Sequence, residues 1–423
     1  MNKLLLVFKS PDLRKKVLMV LFWLFVFRLF ASIPIPGIDA SRLQAFFESN
    51  QLFGFLNIFS GGGLSHLSIM MLGVGPYITA TIIMQLLTII FPNLKKAYYE
   101  EGAAGQAKFN RISRLITVPL AALQGYGFLN LLMSQGVIPR LNFFSLITDV
   151  LIITAGSLLL MWIGEILSEY KIGNGISLLI FAGIVSALPQ AISSAFINYT
   201  PGVLPTYLIF AILSLVVIGG VVFVNEGERK IPVSYAKQVR GSKVYGGASS
   251  YLPLKVNQAG VIPIIFAISI LLFPQFIAQS ISIFSPDLSL KLNSFVTKVF
   301  NNQLIYGSLY FFLVVLFTYF YTAITFDPKE ISKNLQQSGG FIPGIRPGEA
   351  TAEVIAKTVH RTTLFGALFL GVIAILPNIT QFFTGIQSLK VGGTALLIVV
   401  AVALESMKQI ESQLTIREYE GIF

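Results

Sequence analysis

The chain has 423 residues, of which 54% are hydrophobic and only 12% are charged, and its mean hydropathy is +0.77. A soluble domain carries about 25% charged residues, and one with this much apolar surface would aggregate. The absence of cysteine excludes disulfides and thiolate metal sites, and two histidines are too few to suggest a histidine-built metal centre. The net charge of +11 would suggest nucleic-acid binding in a soluble protein, but in a membrane protein its position matters more than its sum.

The apolar runs are continuous, as in 208–224 and 395–404. A membrane-spanning helix needs about 20 such residues, whereas barrel strands alternate polar and apolar positions. The first 30 residues resemble a signal peptide, because basic residues precede an apolar run, yet no small-x-small cleavage site follows. We therefore expect a retained first helix and an all-α integral membrane protein.

Ten apolar runs between polar breaks predict about ten transmembrane helices. An even number places both termini on one side, which then holds 24 of the Lys and Arg residues, against 5 on the other. By the positive-inside rule, both termini are cytoplasmic. Two cytoplasmic loops, 225–257 and 327–361, are long enough to be functional. The predicted spans are 17–34, 67–91, 115–133, 146–167, 175–196, 204–224, 258–278, 303–326, 362–378 and 391–407.

Ionisable residues are scarce inside the spans. Arg28, Glu165, Asp149 and Glu405 lie toward predicted span ends, where we expect them to snorkel or cap. A secondary transporter would need a polar site at mid-membrane, and a membrane enzyme would need a catalytic pair. The sequence offers neither, and it contains no nucleotide-binding, zinc-protease or nucleophile-elbow motif.

Several features allow two interpretations from spacing alone. Val74 and Ile78 are one helical turn apart, as are Ile176 and Ile180, so each pair shares a helix face that could line a pore or simply pack. The segment 55–66, with three consecutive glycines, could be re-entrant or a surface turn. Gln85 and Asn257 could hydrogen-bond across helices in a specific role or as ordinary packing contacts.

Eight short strings, in order along almost the whole chain, resemble the SecY family of protein-translocation channels. They begin with Ile33–Asp39 and Asn57–Gly62 and end with Pro343–Gly348 and Gly392–Val400. The others are Pro76–Leu87, Gly173–Ser177, Glu228–Lys237 and Leu252–Pro263. The resemblance implies two pseudo-symmetric five-helix halves, 1–200 and 201–423, around a channel for unfolded preproteins.

The resemblance also implies roles for particular residues. A ring of aliphatic side chains would form the constriction: Val74, Ile78, Ile176, Ile180, Ile265 and Ile398. A plug would seal the external funnel: Asn57, Ile58, Phe59, Ser60, Gly61, Gly62, Gly63 and Leu64. Gln85 and Asn257 would lie on a lateral gate, where the second and third helices part from the seventh and eighth to release apolar segments into lipid.

The long loops would dock partners through Arg240, Lys243 and Arg346. The resemblance implies as partners small SecE-like and SecG-like membrane subunits, the SecA motor ATPase, the ribosome, preprotein substrates and membrane lipids. It implies no cofactor and no catalysis by this chain. It places the protein in a prokaryotic plasma (inner) membrane.

Overall fold

The computed structural model describes residues 10–36, 63–64, 67–99, 101–134, 136–197, 204–235, 237–240, 243–246, 249–281, 285–384 and 393–420. Helices dominate this part of the chain. They are α1 (Pro11–Ala31), α2 (Gly75–Ile90), α3 (Pro92–Tyr99), α4 (Gly102–Ser134), α5 (Phe143–Glu169), α6 (Gly175–Ile197), α7 (Leu204–Glu226), α8 (Ile262–Ile281), α9 (Pro286–Asn301), α10 (Gln303–Thr325), α11 (Pro328–Gln337), α12 (Glu349–Thr384) and α13 (Gly393–Glu420).

Ten of these helices coincide with the ten predicted spans, namely α1, α2, α4 to α8, α10, α12 and α13. Five helical stretches of the described chain are long and apolar enough by themselves to cross a membrane: Ala104–Ser134, Phe143–Glu169, Tyr207–Glu226, Gln303–Gln337 and Glu349–Leu376. Helix α7 exposes a row of large apolar side chains, among them Leu208, Ile212 and Phe223. Such exposure is costly in water but favourable against lipid tails.

The second span begins later than predicted. Residues 67–74 form turns, and α2 starts only at Gly75. Pro76 occupies the first turn of α2, where its fixed φ favours helix initiation and its missing N–H costs nothing. Before it, Ile35 and Leu67 pair through their backbones (Ile35 N to Leu67 O, 2.8 Å), so the turns are anchored to the end of the first span.

The two long loops contain β structure that the sequence did not predict. In the first loop lie β1 (Glu228–Tyr235), β2 (Lys237–Arg240), β3 (Lys243–Gly246) and β4 (Ser249–Lys255), and in the second lies β5 (Gly340–Phe341). Strands β4, β1 and β5 form one antiparallel sheet in that order, and β2 pairs with β3 as a separate hairpin. The loops are therefore one folded unit rather than two independent segments.

A small apolar core holds this loop unit together. Ile231 and Leu254 from the sheet pack with Ile342 and with Ile355 and Val359 of α12. The two α12 residues are four apart and share one helix face. This contact explains why α12 begins at Glu349, well before the predicted span at 362: its first turns pack on the loop unit instead of lipid.

The largest apolar cluster joins the two halves of the chain. It contains residues of α1, α2, α5 and α6 together with residues of α7, α8, α10, α12 and α13. Helix α8 packs directly against α2 and α4, and α13 packs against α6. The centre of the molecule is therefore a contact between halves.

Candidate functional site

The six ring positions lie near the N-terminal ends of four helices. Val74 immediately precedes α2, and Ile78 lies one turn inside it. Ile176 and Ile180 occupy the first two turns of α6, Ile265 the first turn of α8 and Ile398 the second turn of α13. The helices α2 and α13 begin at the end of the bundle opposite that at which α6 and α8 begin, so the four helices meet at the ring from both directions.

The structure brings all six side chains into the same apolar cluster. Five are members of its buried part, with exposures from 1% for Ile180 and Ile398 to 5% for Ile78, while Ile176 is partly buried and packs against it. Five of the six are isoleucines and one is a valine, and they come from both halves of the chain. An aliphatic surface offers water no hydrogen bonds, so such a cluster can exclude water while it is closed.

A tight turn between α5 and α6 positions Ile176 and Ile180. The Asn174 side chain caps α6, since its Oδ1 accepts hydrogen bonds from the backbone N of Ile176 (3.1 Å) and of Ser177 (3.3 Å). A Cβ at Gly175 would overlap the carbonyl oxygen of Gly164 on α5. The string Gly173-Asn174-Gly175 thus serves the close approach of two helices.

Asn257 organises the start of α8. Its Nδ2 donates to Oδ1 of Asn225 at the end of α7 (2.9 Å) and to the carbonyl oxygen of Gly260 (3.2 Å). Both partners belong to the second half of the chain. Its Oδ1 is buried and has no hydrogen-bond partner among the described residues.

The other predicted gate residue, Gln85, is partly buried on α2. Its Oε1 is buried and, within the part of the chain that the structure describes, accepts no hydrogen bond. Because α2 and α4 both pack on α8, three of the four helices that the gate prediction names meet. The contact of α2 and α4 with α8 is therefore the seam at which the predicted gate would open. The role of Gln85 and Asn257 in that opening stays a prediction.

Most of the predicted plug, from Asn57 to Gly62, lies outside the described residues. Its last two residues are placed: the carbonyl oxygen of Gly63 accepts from the N–H of Ser68 (2.8 Å). Leu64 is 1% exposed and packs in a second apolar cluster with Ile35 and Phe128. The segment is thus anchored at its end beside the turns that lead into α2.

The predicted docking residues lie on the loop unit. Arg240 and Lys243 are opposite each other in the last pair of the β2–β3 hairpin. Arg346 is exposed in a rigid turn: its carbonyl oxygen accepts from Thr351 Oγ1 (2.9 Å), and Gly344 and Gly348 adopt φ values of +81° and +100° that other residues rarely tolerate. The turn presents Arg346 at a fixed place.

Sequence reasoning missed an ion pair between neighbouring helices. Glu165 was expected to snorkel or cap, but its Oε1 accepts from Arg114 Nε at 2.6 Å, which joins α4 to α5. The signal was available, because Arg114 borders the predicted start of one span and Glu165 lies near the end of the next. Antiparallel neighbours place those two positions at the same depth.

A second missed contact involves the last helix. Gln413 of α13 accepts at Oε1 from Lys16 Nζ of α1 (2.8 Å) and donates from Nε2 to the carbonyl oxygen of Lys171 (2.6 Å). Lys171 lies in the turn between α5 and α6. One amide therefore links three regions that are far apart in sequence, and no local sequence pattern could have revealed it.

Comparison with known proteins identifies relatives over the whole length. The SecY family model matches residues 68–407. The chain is 42% identical to the protein translocase subunit SecY of Mycobacterium tuberculosis over 436 residues, which covers 98% of this chain and 97% of that protein.

Solved structures share the fold. One is a SecY structure whose plug domain is described as stabilising the closed state of the translocation channel and maintaining a membrane seal. It aligns with a TM-score of 0.64 at 20% identity, over 94% of this chain and 91% of that chain. Sec61 in the canine ribosome–channel complex from the endoplasmic reticulum aligns with a TM-score of 0.62 at 19% identity, over 93% and 90% of the two chains.

Proposed function

The chain belongs to the SecY family, and we propose how its own residues build the protein-conducting channel of a translocase. It is a multi-pass membrane protein and the channel subunit, not an enzyme, because the family that matches it is a family of translocation channels. It passes unfolded preproteins across the membrane and releases apolar segments sideways into lipid. The observation that carries the proposal is the apolar cluster in which the six aliphatic side chains, on or next to four helices, meet.

The ring suits a channel whose substrates differ in every side chain. Dispersion contacts are non-directional and worth only about 0.1–0.2 kcal/mol per atom pair, so an aliphatic collar yields around any passing chain. When no chain is present, the same collar excludes water and ions. Specific polar groups at this level would bind some segments and stall them.

Cross-linking to a stalled preprotein tests the ring. Because the chain has no cysteine, single cysteines at the six ring positions have no competing native thiol. We expect cross-links at Val74, Ile78, Ile176, Ile180, Ile265 and Ile398, and none at Ile212, which is 62% exposed on α7. Cross-links that form at outward positions on the same helices, but not at the six, would show that the ring is misassigned.

The plug proposal concerns Asn57–Leu64. It is supported by the anchored end of the segment at Gly63 and Leu64, and by the closed-state plug of the structurally similar SecY channel. Deletion of the segment should raise ion conductance across a bilayer that contains the resting channel. Conductance equal to that of the intact chain would mean that the ring alone seals the channel and that the segment is not needed.

The gate proposal concerns the contact of α2 and α4 with α8. Apolar segments leave through this seam, since each Leu or Ile gains roughly 0.3–0.6 kcal/mol in lipid. Gln85 acts on the seam from α2. Asn257 acts indirectly, because it holds the start of α8 against Asn225 of α7 and moves with that helix.

The docking proposal assigns the loop unit to the SecA motor or the ribosome, with Arg346, Arg240 and Lys243 in the contact. It is supported by the rigid, exposed turn around Arg346. Arg346→Glu should reduce translocation and motor binding in vitro, because like charges at a docking contact cost several kcal/mol. Lys357→Glu, an equal charge change at an exposed position on α12, should have a smaller effect.

We also propose the setting in which the chain works. The charge asymmetry between loops supports cytoplasmic termini, and the bacterial source of its SecY relatives supports a prokaryotic plasma membrane. Small SecE-like and SecG-like subunits are expected to co-purify with it. Labelling of single cysteines in the loop unit by an impermeant thiol reagent should succeed in inverted vesicles and fail in intact cells.

A further inference from the structure

Helix α9 connects α8 to α10 at the end of the bundle opposite the loop unit. Its sequence, Pro286-Asp-Leu-Ser-Leu-Lys-Leu-Asn-Ser-Phe-Val-Thr-Lys-Val-Phe-Asn301, mixes apolar and polar positions and cannot cross a membrane in 16 residues. The channel mechanism above does not use it. Its three faces nevertheless differ sharply in surroundings.

One face of α9 packs on the protein. Ser289 is buried and donates from Oγ to the carbonyl oxygen of Ala278 on α8 (2.8 Å). Val296 is buried on the same side, and the ring of Phe300 lies 5.6 Å from that of Tyr306 on α10. These contacts fix the rotation of the helix about its own axis.

A second face is apolar and exposed. Leu288 is 55% exposed, Leu292 37% and Phe295 66%. At about 100° per residue these three positions fall within roughly 60° of one another, so they form a continuous stripe. We call Leu288, Leu292 and Phe295 the α9 stripe.

Two cations border the α9 stripe. Lys291 and Lys298 are seven residues apart, are exposed, and project from the same side of the helix, beside the stripe and away from the face that packs on the protein. Ser294 and Asp287 continue that polar side. The helix therefore has protein on one side, an apolar stripe on the next and a basic polar side on the third.

We propose that α9 is a membrane-surface helix: the α9 stripe inserts into the acyl-chain boundary, and Lys291 and Lys298 bind the phosphates of anionic phospholipids. Amphipathic helices with large apolar residues on one face and lysines on the other lie in the interface in this way. The helix thereby anchors the end of α8, the helix against which α2 and α4 close.

Lipid fits this stripe better than a protein partner because the stripe continues the lipid-facing surface of the bundle. The adjoining turn of α10 exposes Leu304 by 75% and Ile305 by 49%, and Ile277 of α8 is 39% exposed. Since α9 joins the ends of two spanning helices, its stripe lies where the bilayer ends. The lysines fit phosphate, which a neutral apolar protein surface would not supply.

Site-directed spin labelling of the full chain, purified with its small subunits, tests the proposal. Leu288→Cys, Leu292→Cys and Phe295→Cys should each place a label that collides with oxygen and is protected from a water-soluble nickel chelate. Ser294→Cys on the polar side should show the reverse. If one stripe variant does not assemble, the other two give the same information.

Two results would overturn the insertion. Stripe labels as open to the nickel chelate as the Ser294→Cys label would place the stripe in water. Labels closed to both reagents would mean that a protein subunit covers it.

The lysines are tested with the Phe295→Cys label in vesicles of phosphatidylcholine with increasing phosphatidylglycerol. Replacement of both lysines, K291Q/K298Q, should lower the equilibrium constant for immersion at a given phosphatidylglycerol fraction by about fivefold per lysine, while K291R/K298R should leave it unchanged. Immersion that does not change with the phosphatidylglycerol fraction, or with the glutamine substitutions, would refute the anionic-lipid contact.

Discussion

The two halves of the chain meet on two sides, and these two contacts differ in their hydrogen bonding. On one side α8 packs against α2 and α4, and the predicted gate residue Gln85 buries an oxygen that accepts no hydrogen bond from the described residues. On the other side α13 packs against α6, and Gln413 is bonded at both ends of its amide, to Lys16 and to Lys171.

The difference between these two glutamines suggests which side opens. A buried polar group without a partner costs about 1–3 kcal/mol, and Gln85 would regain hydrogen bonds if parting of the seam at α8 exposed its Oε1 to water in the channel. Parting at α13 would instead break two bonds. We therefore expect the seam at α8 to part first, with the α13 side acting as the hinge.

The first prediction concerns the proposed ring, which lies between the α8 side and the α13 side. Replacing Ile180 and Ile398 with Asn should hydrate the closed ring, because each buried amide lacks a partner at a cost of about 1–3 kcal/mol. The resting ion leak in planar bilayers should rise at least roughly tenfold, since about 1.4 kcal/mol corresponds to a factor of ten in an equilibrium.

The matched control for the ring is replacement of the same two residues with Leu. Leucine keeps the volume and the apolar surface, so the leak should change little. A leak of equal size in the Leu and Asn variants would mean that packing volume, and not the absence of hydrogen-bonding groups, keeps the ring closed.

The second prediction disturbs α6, the helix of the first half that packs on α13. Gly175→Ala should force α5 and α6 apart, because the added Cβ overlaps the carbonyl oxygen of Gly164. Overpacking of this kind costs about 1–3 kcal/mol, so thermal unfolding of the purified complex should occur at a lower temperature. Gly219→Ala on α7 meets no atom within 4 Å and should be neutral or slightly stabilising. A Gly175→Ala variant as stable as Gly219→Ala would contradict the close approach.

The ten spanning helices could be predicted because lipid exposure imposes continuous apolar runs on the sequence. The late start of α2 was also encoded, in Pro76, but hydropathy alone extended the span to residue 67. The sheet of the loop unit could not be predicted. Its β1–β5 pair joins Ser234 to Phe341, and Pro232 within β1 argues against a strand unless its N–H side is unpaired.

The candidate site was predictable only in part and for a physical reason. Spacing placed Val74 with Ile78 and Ile176 with Ile180, because i and i+4 positions share a helix face. Nothing local relates Ile265 or Ile398 to them, and only the family resemblance did so. Gln413 illustrates the remaining gap: its partners lie on α1 and in the α5–α6 turn, and a polar residue near a helix end carries no sign of them.

The third prediction tests the α8 side. Gln85→Leu removes the unpartnered buried oxygen and keeps the side chain's size, which should stabilise the closed seam by about 1–3 kcal/mol. Translocation of preproteins with weak signal sequences should therefore slow, while those with strong signal sequences are less affected. Faster translocation of the weak-signal preproteins would contradict a closed seam that Gln85 destabilises.

The fourth prediction applies the same substitution, Gln to Leu, to the α13 side and expects the opposite change in stability. Gln413→Leu removes two hydrogen bonds between α13 and the first half of the chain, each worth about 0.5–1.5 kcal/mol, and the position's exposure reduces the loss. The complex should unfold at a slightly lower temperature than the control variant Gln409→Leu. The Gln409 side chain donates a hydrogen bond to Glu405 of its own helix at 3.4 Å, so its loss should leave the contact between the halves intact. If Gln85→Leu and Gln413→Leu shifted stability in the same direction, the two sides would not differ in the way that the hydrogen bonds indicate, and the hinge would have to be sought elsewhere.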